Sequence, residues 1–550
     1  METTEYDLRA RYMKLENRRR PFLERGREVS ALTVPYLLTR EGHTAGYTDL
    51  PTPYQSVGAE GVSNLASKLL LTLFPPNAPF FRLKPDEYAL EQLSESLGDS
   101  GQETRSRVLD EIEQSLISTE NAVMLAVEQR ALRVTIFECL KHLIVAGNGL
   151  LYLPRAGKGE SADIRLYHLD QYVVERDSMG SLEIIVTKEM VNPGTLPPLA
   201  MEHIQKHLSS HMGDGGAQLT SDKEVEIYTG ACRLPDGKFR ISQQIEGCEI
   251  PETVGTFTEE SLPYLPLRFS KVSKESYGRG LGEERMGDLR SLEGLSKAIV
   301  EGAAAASRVI GLVRPNGSTR LKDLNKTKNG GFAAGNADDV QFLQVNKFAD
   351  FRTAESVMDK IERRLQKAFL LTSSIQRQAE RVTAEEIRLL AEQLEATLGG
   401  TYSILSQELQ LPNVNHLMEQ LRSEGSLPRW PAKLKKTIKP VIVTGVDALG
   451  RGQELERLRV ASLTAGEILQ NPAVAGMLNV EVLLQRIYDG AGVPTEGLIK
   501  TQEQMAMEQQ QAQMQQAAQA VVEKGAGPFI GAGTQAAMQD QGQPPQAEAV

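Results

Sequence analysis

A change of hydrophobic period along the chain constrains its fold more than any other feature. Residues 104–146 carry apolar side chains at helical spacing, with Val123, Val127 and Val134 on one stripe. Short runs rich in β-branched and aromatic residues, separated by turn residues, fill 150–188 and 223–250. Helical spacing returns at 281 and holds for most of the second half. The pattern predicts an α+β chain that is mainly helical.

Turn residues and breakers set the predicted boundaries. Asp177–Gly180 is typical of a hairpin turn between two strands. Pro21 takes a first-turn position early in the chain, Gly399 and Gly400 interrupt the last long helix, and Pro412 is expected to end the helical segment after them. Helices are predicted over residues 5–40, 56–73, 104–146, 281–309, 353–371 and 384–410, with shorter ones over 454–488 and a polar one over 502–519.

Overall charge and cysteine content narrow the class of protein. The 550-residue chain has a formal net charge of -11 at pH 7. This argues against a static DNA clamp, because such a protein gathers Lys and Arg over one face. Its three cysteines are too few for a disulfide framework or a Cys-based zinc site. No apolar stretch approaches the ~18–20 residues of a membrane span, and residues 1–5 do not begin a signal peptide. A soluble protein made in a reducing cytoplasm is expected.

Motifs of common enzymes are missing from the sequence. It contains no Walker A motif, no His-Glu-x-x-His and no Gly-x-Ser-x-Gly, so no catalytic residue, cofactor or metal ligand is assigned. The Gly-rich stretch 277–282 opens a predicted helix. It could seat an anion, but it lacks the full dinucleotide-binding spacing, and a flexible entry to the helix is the plainer interpretation.

Three histidines recur at intervals of four residues. His203, His207 and His211 would share one face of a short helix. A metal site, a pH-sensitive face and a plain polar face all remain open. One straight helix rarely supplies three ligands to one ion, because the outer two histidines would lie ~12 Å apart along its axis.

Two further groups of residues leave alternatives open. Trp430 precedes Lys433, Lys435 and Lys436, which could make secondary contacts to nucleic acid or simply form a solvated segment. The arginines near residue 20 could form a solvated face, pair subunits or contact DNA. The small residues of 302–307 would let helices approach closely, either within one subunit or between neighbours.

Several blocks in a fixed order between residues 5 and 500 carry a family resemblance. The most specific block, 376–388, reads Gln-Arg-Gln-Ala-Glu-Arg-Val-Thr-Ala-Glu-Glu-Ile-Arg. The other blocks are 275–280, 287–293, 309–317, 342–344, 350–351, 398–403, 406–412 and 448–452. Together they resemble the head-to-tail connector, or portal, of short-tailed bacteriophages (podoviruses). The Gln-rich tail resembles the family less closely.

The resemblance implies a portal fold assembled as a ring of identical subunits, usually a dodecamer. In this sequence the implied parts begin with a wing of helices and β-hairpins over 1–195. A first stem helix over 196–212, a β-rich clip over 213–275 and a second stem helix over 276–309 would follow. The chain would then return to the wing with a channel (tunnel) loop over 310–382, form a crown over 383–500, and end in a Gln-rich helix of the C-terminal helical barrel with a disordered tail over 501–550.

The channel loop contains the residues expected to face DNA. Gln376, Arg377, Gln378 and Arg381 are polar and flexible enough to touch phosphates without reading bases. The alternative is that the two arginines form intersubunit salt bridges to Glu380 or Glu385. An acidic subunit suits such a channel, because few phosphate contacts per subunit leave the duplex free to slide.

The implied partners follow from the same resemblance. Double-stranded DNA would pass through the ring independently of sequence, the terminase large subunit would dock on the clip, and a tail adaptor protein would replace it. Major capsid, scaffold and internal core proteins would meet the ring during assembly in the host cytoplasm. The final location would be the capsid vertex at the head-tail junction of the virion. The alternatives are a tail adaptor or tube ring protein, and a soluble enzyme that binds phosphate at 278–282.

Overall fold

The computed structural model describes residues 7–40, 49–76, 80–84, 102–154, 164–196, 201, 202, 204, 224–306, 310–328, 331–343, 348–371, 384–427, 441–444 and 463. The chain divides into two units, Met1–Gly450 and Arg451–Val550. Every described residue except Leu463 belongs to the first unit, which mixes helices with antiparallel sheets. No described helix combines the length and apolar character needed to cross a membrane.

Helices make up most of the described chain. In order they are α1 (Leu8–Leu32), α2 (Val57–Leu73), α3 (Gln102–Gln129), α4 (Leu132–Ala146), α5 (Leu281–Glu284), α6 (Met286–Ala306), α7 (Leu321–Lys326), α8 (Phe348–Ala368), α9 (Ala384–Leu398), α10 (Thr401–Leu405) and α11 (Leu411–Glu424). A π-helical turn, Ser406–Gln410, connects the last two.

The strands form four antiparallel sheets among the described residues. They are β1 (Phe81–Lys84), β2 (Asn148–Tyr152), β3 (Arg165–Tyr167), β4 (Tyr172–Arg176), β5 (Leu182–Val191), β6 (Val225–Arg233), β7 (Phe239–Ile245), β8 (Cys248–Glu249), β9 (Gly255–Phe257), β10 (Tyr264–Arg268), β11 (Ile310–Val313), β12 (Val340–Leu343) and β13 (Val441–Thr444). The largest sheet runs β4-β5-β6-β7-β8, with β9 also on β7. The others are β10-β2-β3, β11-β12 and β1-β13.

The largest sheet is covered on both faces because its strands alternate two sets of apolar side chains. On one face, Val173 and Val186 pack with Leu8 and Tyr12 of α1. A Cβ on Gly230 would lie 2.2 Å from Leu8 Cδ2, so glycine is required where the helix crosses β6. The other face packs against β2 and β10 in a second apolar cluster.

Helix α2 lies at the centre of the largest core cluster. Its Val62, Leu65, Leu69 and Leu73 are fully buried, and the same cluster contains apolar side chains of α4, α8, α9 and α11. Complete burial of a Leu or Val side chain contributes roughly 1.5–3 kcal/mol relative to exposure. Elements that come later in the chain therefore pack against a helix that is itself well buried.

A buried ion pair joins the π turn to the small sheet. Arg268 at the end of β10 is 3% exposed and contacts Glu408 at 2.7 Å. Arg176 lies close by and donates to the carbonyl of Pro266 at 2.8 Å. Burial, and then the charge of Arg268, lower the pKa of Arg176 to about 10. The guanidinium groups of Arg176 and Arg268 are thus neighbours, and Glu408 is the carboxylate paired with Arg268.

The arginines of α1 make intramolecular contacts. Arg19 is 3% exposed and donates to the carbonyls of Asp170 and Tyr172, both at 2.8 Å. Arg18 pairs with Glu175 at 2.5 Å, and Arg25 pairs with Glu283 at 2.8 Å. These contacts tie α1 to the large sheet and to α5, so they favour a structural role for this basic cluster.

Most predicted elements are confirmed, and three details are wrong. Pro21 lies inside α1 instead of opening a helix. The stretch 104–146 is two helices, because Ala131 adopts a left-handed conformation with φ of 48°. Pro412 does not stop the chain's helical course. It occupies the first turn of α11, directly after a π turn, and the first turn is where a helix tolerates a residue without a backbone N–H.

One strand pairing was not anticipated from the sequence. Strand β5 pairs with β6 over eight residues, from Ile184↔Cys232 to Val191↔Val225. The pairing connects segments 1–195 and 213–275, which were assigned to wing and clip. That division of the chain stays a prediction, and so does the pairing of two stem helices. Of 196–212 the structure describes only Leu196, which is not helical, and Met201, Glu202 and Ile204, which are.

Candidate DNA-channel loop and its supports

The residues predicted to face DNA lie between two described helices. Gln376, Arg377, Gln378 and Arg381 fall outside the described residues, which resume at Ala384 after Leu371. Also outside them are Trp430, Lys433, Lys435, Lys436, His203, His207 and His211. Their roles stay predictions. The structure does define the chain on both sides of the segment 372–383, which contains the predicted channel loop and is called by that name below.

The upstream flank is held by two polar side chains of α2. Lys68 Nζ donates to the carbonyl of Leu370 at 2.6 Å. Asn64 Nδ2 donates to the carbonyls of Phe369 and Leu370, each at 3.2 Å. Leu370 has a left-handed φ of 56°, so the chain turns sharply here. These bonds pair the carbonyls that become available where α8 ends.

Lys68 is an unusual choice of donor because it is only 6% exposed. Burial lowers the pKa of its ammonium group, because removal from water disfavours the charged form. A hydrogen bond from a charged donor is stronger than one between neutral groups. The single basic residue of a helix rich in apolar residues was the sequence signal for this contact, although sequence reasoning did not identify it.

Shape also fixes the upstream flank. The ring of Phe369 is fully buried and packs against α2 at Gly61. A Cβ at Gly61 would lie 2.6 Å from Phe369 Cγ, a separation that real side chains do not tolerate. Because Gly61 has no side chain, the ring of Phe369 can pack against α2 just before the channel loop begins.

The downstream flank rests on the same helix. Ile387, Leu390 and Leu394 of α9 are buried in the core cluster that contains α2. Farther on, Tyr402 Oη donates to the carbonyl of Thr72 at 3.3 Å. Burial raises the pKa of the Tyr402 phenol, so it remains a donor at neutral pH. One helix thus supports the chain on both sides of the channel loop.

A cluster of two histidines and a carboxylate was missed by sequence reasoning. Glu138 and His142 lie one turn apart on α4, and His168 follows β3. Their ligand atoms all lie within 4.8 Å of one another. Burial, together with the nearby charges of His168 and Lys141, lowers the pKa of His142 to about 3, so its ring is neutral. The Glu-x-x-x-His spacing was the available signal.

Residues 5–499 match the family of bacteriophage head to tail connecting proteins. The chain belongs to this family. The connector is 41% identical over 505 residues to the portal protein of Escherichia phage T7, covering 92% of the connector and 90% of that relative. It is 40% identical over 519 residues to the portal protein of Enterobacteria phage T3, covering 94% and 92%. The resemblance drawn from the sequence is confirmed, and it favours a head-to-tail connector over a tail tube protein or a soluble enzyme.

A similarity to solved structures is much weaker. A chain in the neck of an empty gene transfer agent particle aligns with 80% of the connector and 90% of its own length, at 12% identity and a TM-score of 0.34. A score this low carries no argument about the connector. The family assignment rests on sequence.

The Gly-rich stretch 277–282 of the connector serves close packing. Gly278 N donates to Asn148 Oδ1 at 2.7 Å, and Asn148 Nδ2 donates to the carbonyl of Gly278 at 2.9 Å. A Cβ on Gly280 would lie 2.7 Å from the carbonyl oxygen of Ile144. These glycines let the backbone before α5 lie against the end of α4, which supplies a structural reason for them without any bound phosphate.

Helix α6 of the connector, within the predicted second stem helix, contacts α8 along one side. Arg364 pairs with Asp288 at 2.8 Å, and Gly302 lies against the ring of Phe351. Elsewhere α6 is open: among its side chains whose burial is described, only Leu289 and Leu292 are buried. The small residues Ala303, Ala304 and Ala305 are exposed in the single subunit.

Proposed function

We propose that the connector forms a ring, expected to be a dodecamer, whose central channel passes double-stranded DNA during packaging and ejection. The observation that carries the proposal is that one helix supports the chain on both sides of the channel loop. Its flanks are both supported by α2, and its Gln376, Arg377, Gln378 and Arg381 would then be presented toward the duplex. A segment that is supported on both sides and contains polar residues suits sequence-independent contact with phosphates.

The electrostatics support sliding instead of tight binding. The net charge of the subunit is -11, so the ring as a whole does not attract the duplex. Each phosphate contact adds affinity through release of counterions, and contacts repeated around a ring would accumulate. A pair of arginines per subunit, Arg377 and Arg381, would resist backflow of DNA and still permit movement. Lys433, Lys435 and Lys436 are proposed as secondary contacts.

Open faces support assembly into a ring. The exposed small residues of α6 permit close approach of another helix, and Val300 on the same helix is 52% exposed. We assign these surfaces to contacts between neighbouring subunits. The wing (1–195, 310–382), stem helices (196–212, 276–309), clip (213–275), crown (383–500) and barrel (501–550) are the proposed parts of each subunit.

The connector would act through partners and carry no catalysis of its own. The terminase large subunit would dock on the clip and drive DNA inward, and a tail adaptor protein would later bind the same surface. Scaffold, major capsid and internal core proteins would contact the ring as the capsid is initiated in the host cytoplasm. The finished ring would occupy the capsid vertex at the head-tail junction.

The channel loop is tested by the double variant Arg377→Ala/Arg381→Ala. We expect intact rings by negative-stain electron microscopy, with DNA packaging or retention impaired in particles. The matched control is Arg320→Ala/Lys322→Ala, which removes two cations that are exposed in the subunit and lie outside the channel loop. Normal yields of full, stable heads from the first variant would remove the proposed role. Loss of rings would instead support the intersubunit salt-bridge alternative.

A further inference from the structure

From Glu138, His142 and His168 we infer a binding site for a transition-metal cation of the Zn²⁺ class, within the fold and apart from the proposed channel. The His142 and His168 rings have centroids 4.3 Å apart, and His168 Nε2 lies 3.7 Å from Glu138 Oε1. Two imidazoles with one carboxylate make a donor set suited to zinc and its neighbours in the first transition row.

The second observation concerns His142 itself. It is 1% exposed, and neither ring nitrogen has a hydrogen-bond partner among the described residues. Polar groups buried in this way are uncommon and destabilising. A metal ion bound to one nitrogen would satisfy that acceptor, and the N–H of the other ring nitrogen would keep no partner among the described residues.

The site is accessible from one side and supported on the other. The side chains of Glu138 and His168 are 53% and 33% exposed, so a cation can approach from solvent. His168 is positioned by a turn in which its backbone N donates to Gln171 Oε1 at 2.9 Å and its carbonyl accepts from Gln171 N at 2.9 Å. A cation would first contact the exposed side chains of Glu138 and His168 and would then reach the buried His142.

Coordination requires the exposed His168 ring to rotate, because it lies over the His142 ring with an interplanar angle of 30°. Ligand atoms around tetrahedral zinc lie roughly 3.3 Å apart, given bonds of about 2.0 Å. The present separations are within 4.8 Å, and rotation of the exposed Glu138 and His168 side chains would bring the ligand atoms to that value. Lys141 does not occupy the site, since its ammonium lies over the Phe137 ring, 4.4 Å from the centroid. Water would complete the coordination.

A bound cation would connect α4 to the turn between β3 and β4. It would therefore cross-link the core helix cluster to the large sheet. Hard cations such as Mg²⁺ should bind poorly, because they prefer all-oxygen ligands. The inference concerns the stability of the subunit, so it stands or falls independently of the channel loop.

The experiment uses the full chain, stripped with EDTA and dialysed. Titration with Zn²⁺, measured by isothermal calorimetry, should show binding to the site at Glu138, His142 and His168, and elemental analysis should find the bound zinc. The melting temperature of the protein should rise when Zn²⁺ is bound. Mg²⁺ at the same concentration should give neither. Co²⁺ should bind with the visible absorption of a four- or five-coordinate site.

Variants distinguish this site from other histidines. His168→Asn and Glu138→Gln, both at accessible positions, should weaken Zn²⁺ binding by about 100-fold and at least tenfold, respectively. The control His203→Asn/His207→Asn/His211→Asn should retain the affinity and the shift in melting temperature. Zn²⁺ binding that survives in His168→Asn, or that disappears in the triple variant, would overturn the assignment. So would an absence of Zn²⁺ binding to the unmodified chain.

Discussion

Helices α2 and α6 are of similar length but differ in how their apolar surface is used. Val62, Leu65, Leu69 and Leu73 of α2 are fully buried within one subunit. Helix α6 buries little of its surface there and leaves Val300 half exposed. The contrast separates a region whose packing is complete in the single chain from one whose surface suits a neighbouring subunit. Stability of the subunit should depend on the first region, and assembly should depend on the second.

The largest loss of stability is expected for Phe369→Ala. Removing a fully buried aromatic side chain leaves a cavity against Gly61 and should cost about 3–5 kcal/mol of the free energy of unfolding. The control is Phe332→Ala, whose side chain is fully exposed and whose removal should leave the melting temperature unchanged. Calorimetry of both variants measures the difference; equal stabilities would show that α2 is not the dominant support.

A somewhat smaller loss is expected for Glu408→Gln. It leaves Arg268, which is 3% exposed, without its carboxylate, and breaking such a pair costs about 3 kcal/mol. The comparison variant is Glu28→Gln, which breaks the exposed pair with Arg290 on α6. Chemical denaturation should detect only the first change. A comparable loss in both would contradict the distinction between buried and open regions.

A third prediction concerns pH and Lys68→Met. Burial lowers the folded-state pKa of Lys68 below its ordinary value of 10.5. Between these two values the unfolded chain binds more protons, so stability rises with pH. The unmodified protein should gain stability relative to Lys68→Met through this window, and the gain should stop above pH 10.5. Denaturation midpoints measured over this range test the sign.

Lys297→Met is the matched control for that measurement. Lys297 lies on α6 with its side chain 52% exposed, so this variant makes the same substitution at a lysine that is not buried and serves as the reference for Lys68→Met. A relative loss of stability in the unmodified protein, compared with Lys68→Met, would contradict the assigned direction of the Lys68 pKa shift.

The smallest effect on the subunit is expected for Ala303→Glu. An exposed substitution on α6 should change the free energy of unfolding by no more than about 0.5 kcal/mol. It should nevertheless prevent or weaken ring formation, as judged by negative-stain microscopy and light scattering. Ala396→Glu, an exposed alanine on α9, is the control and should still form rings. Normal rings from Ala303→Glu would remove this face from the proposed interface.

The sequence predicted the type of most elements because their periodicity is strong, as in α2 and in the hairpin around Asp177–Gly180. It could not predict that Pro412 would be accommodated, because the π turn ahead of it depends on tertiary packing. It also could not predict the pairing of β5 with β6, which lie on either side of a long intervening segment. The Glu138 and His168 contact requires residues brought together only by the fold.

Lys68 and Thr72 of α2 are four positions apart and contact the chain on opposite sides of the channel loop. Successive turns of a helix separate them by only about 6 Å. A force on the loop in either direction would therefore act on a single turn of α2. Load on the loop would pass from α2 into the core cluster that surrounds this helix.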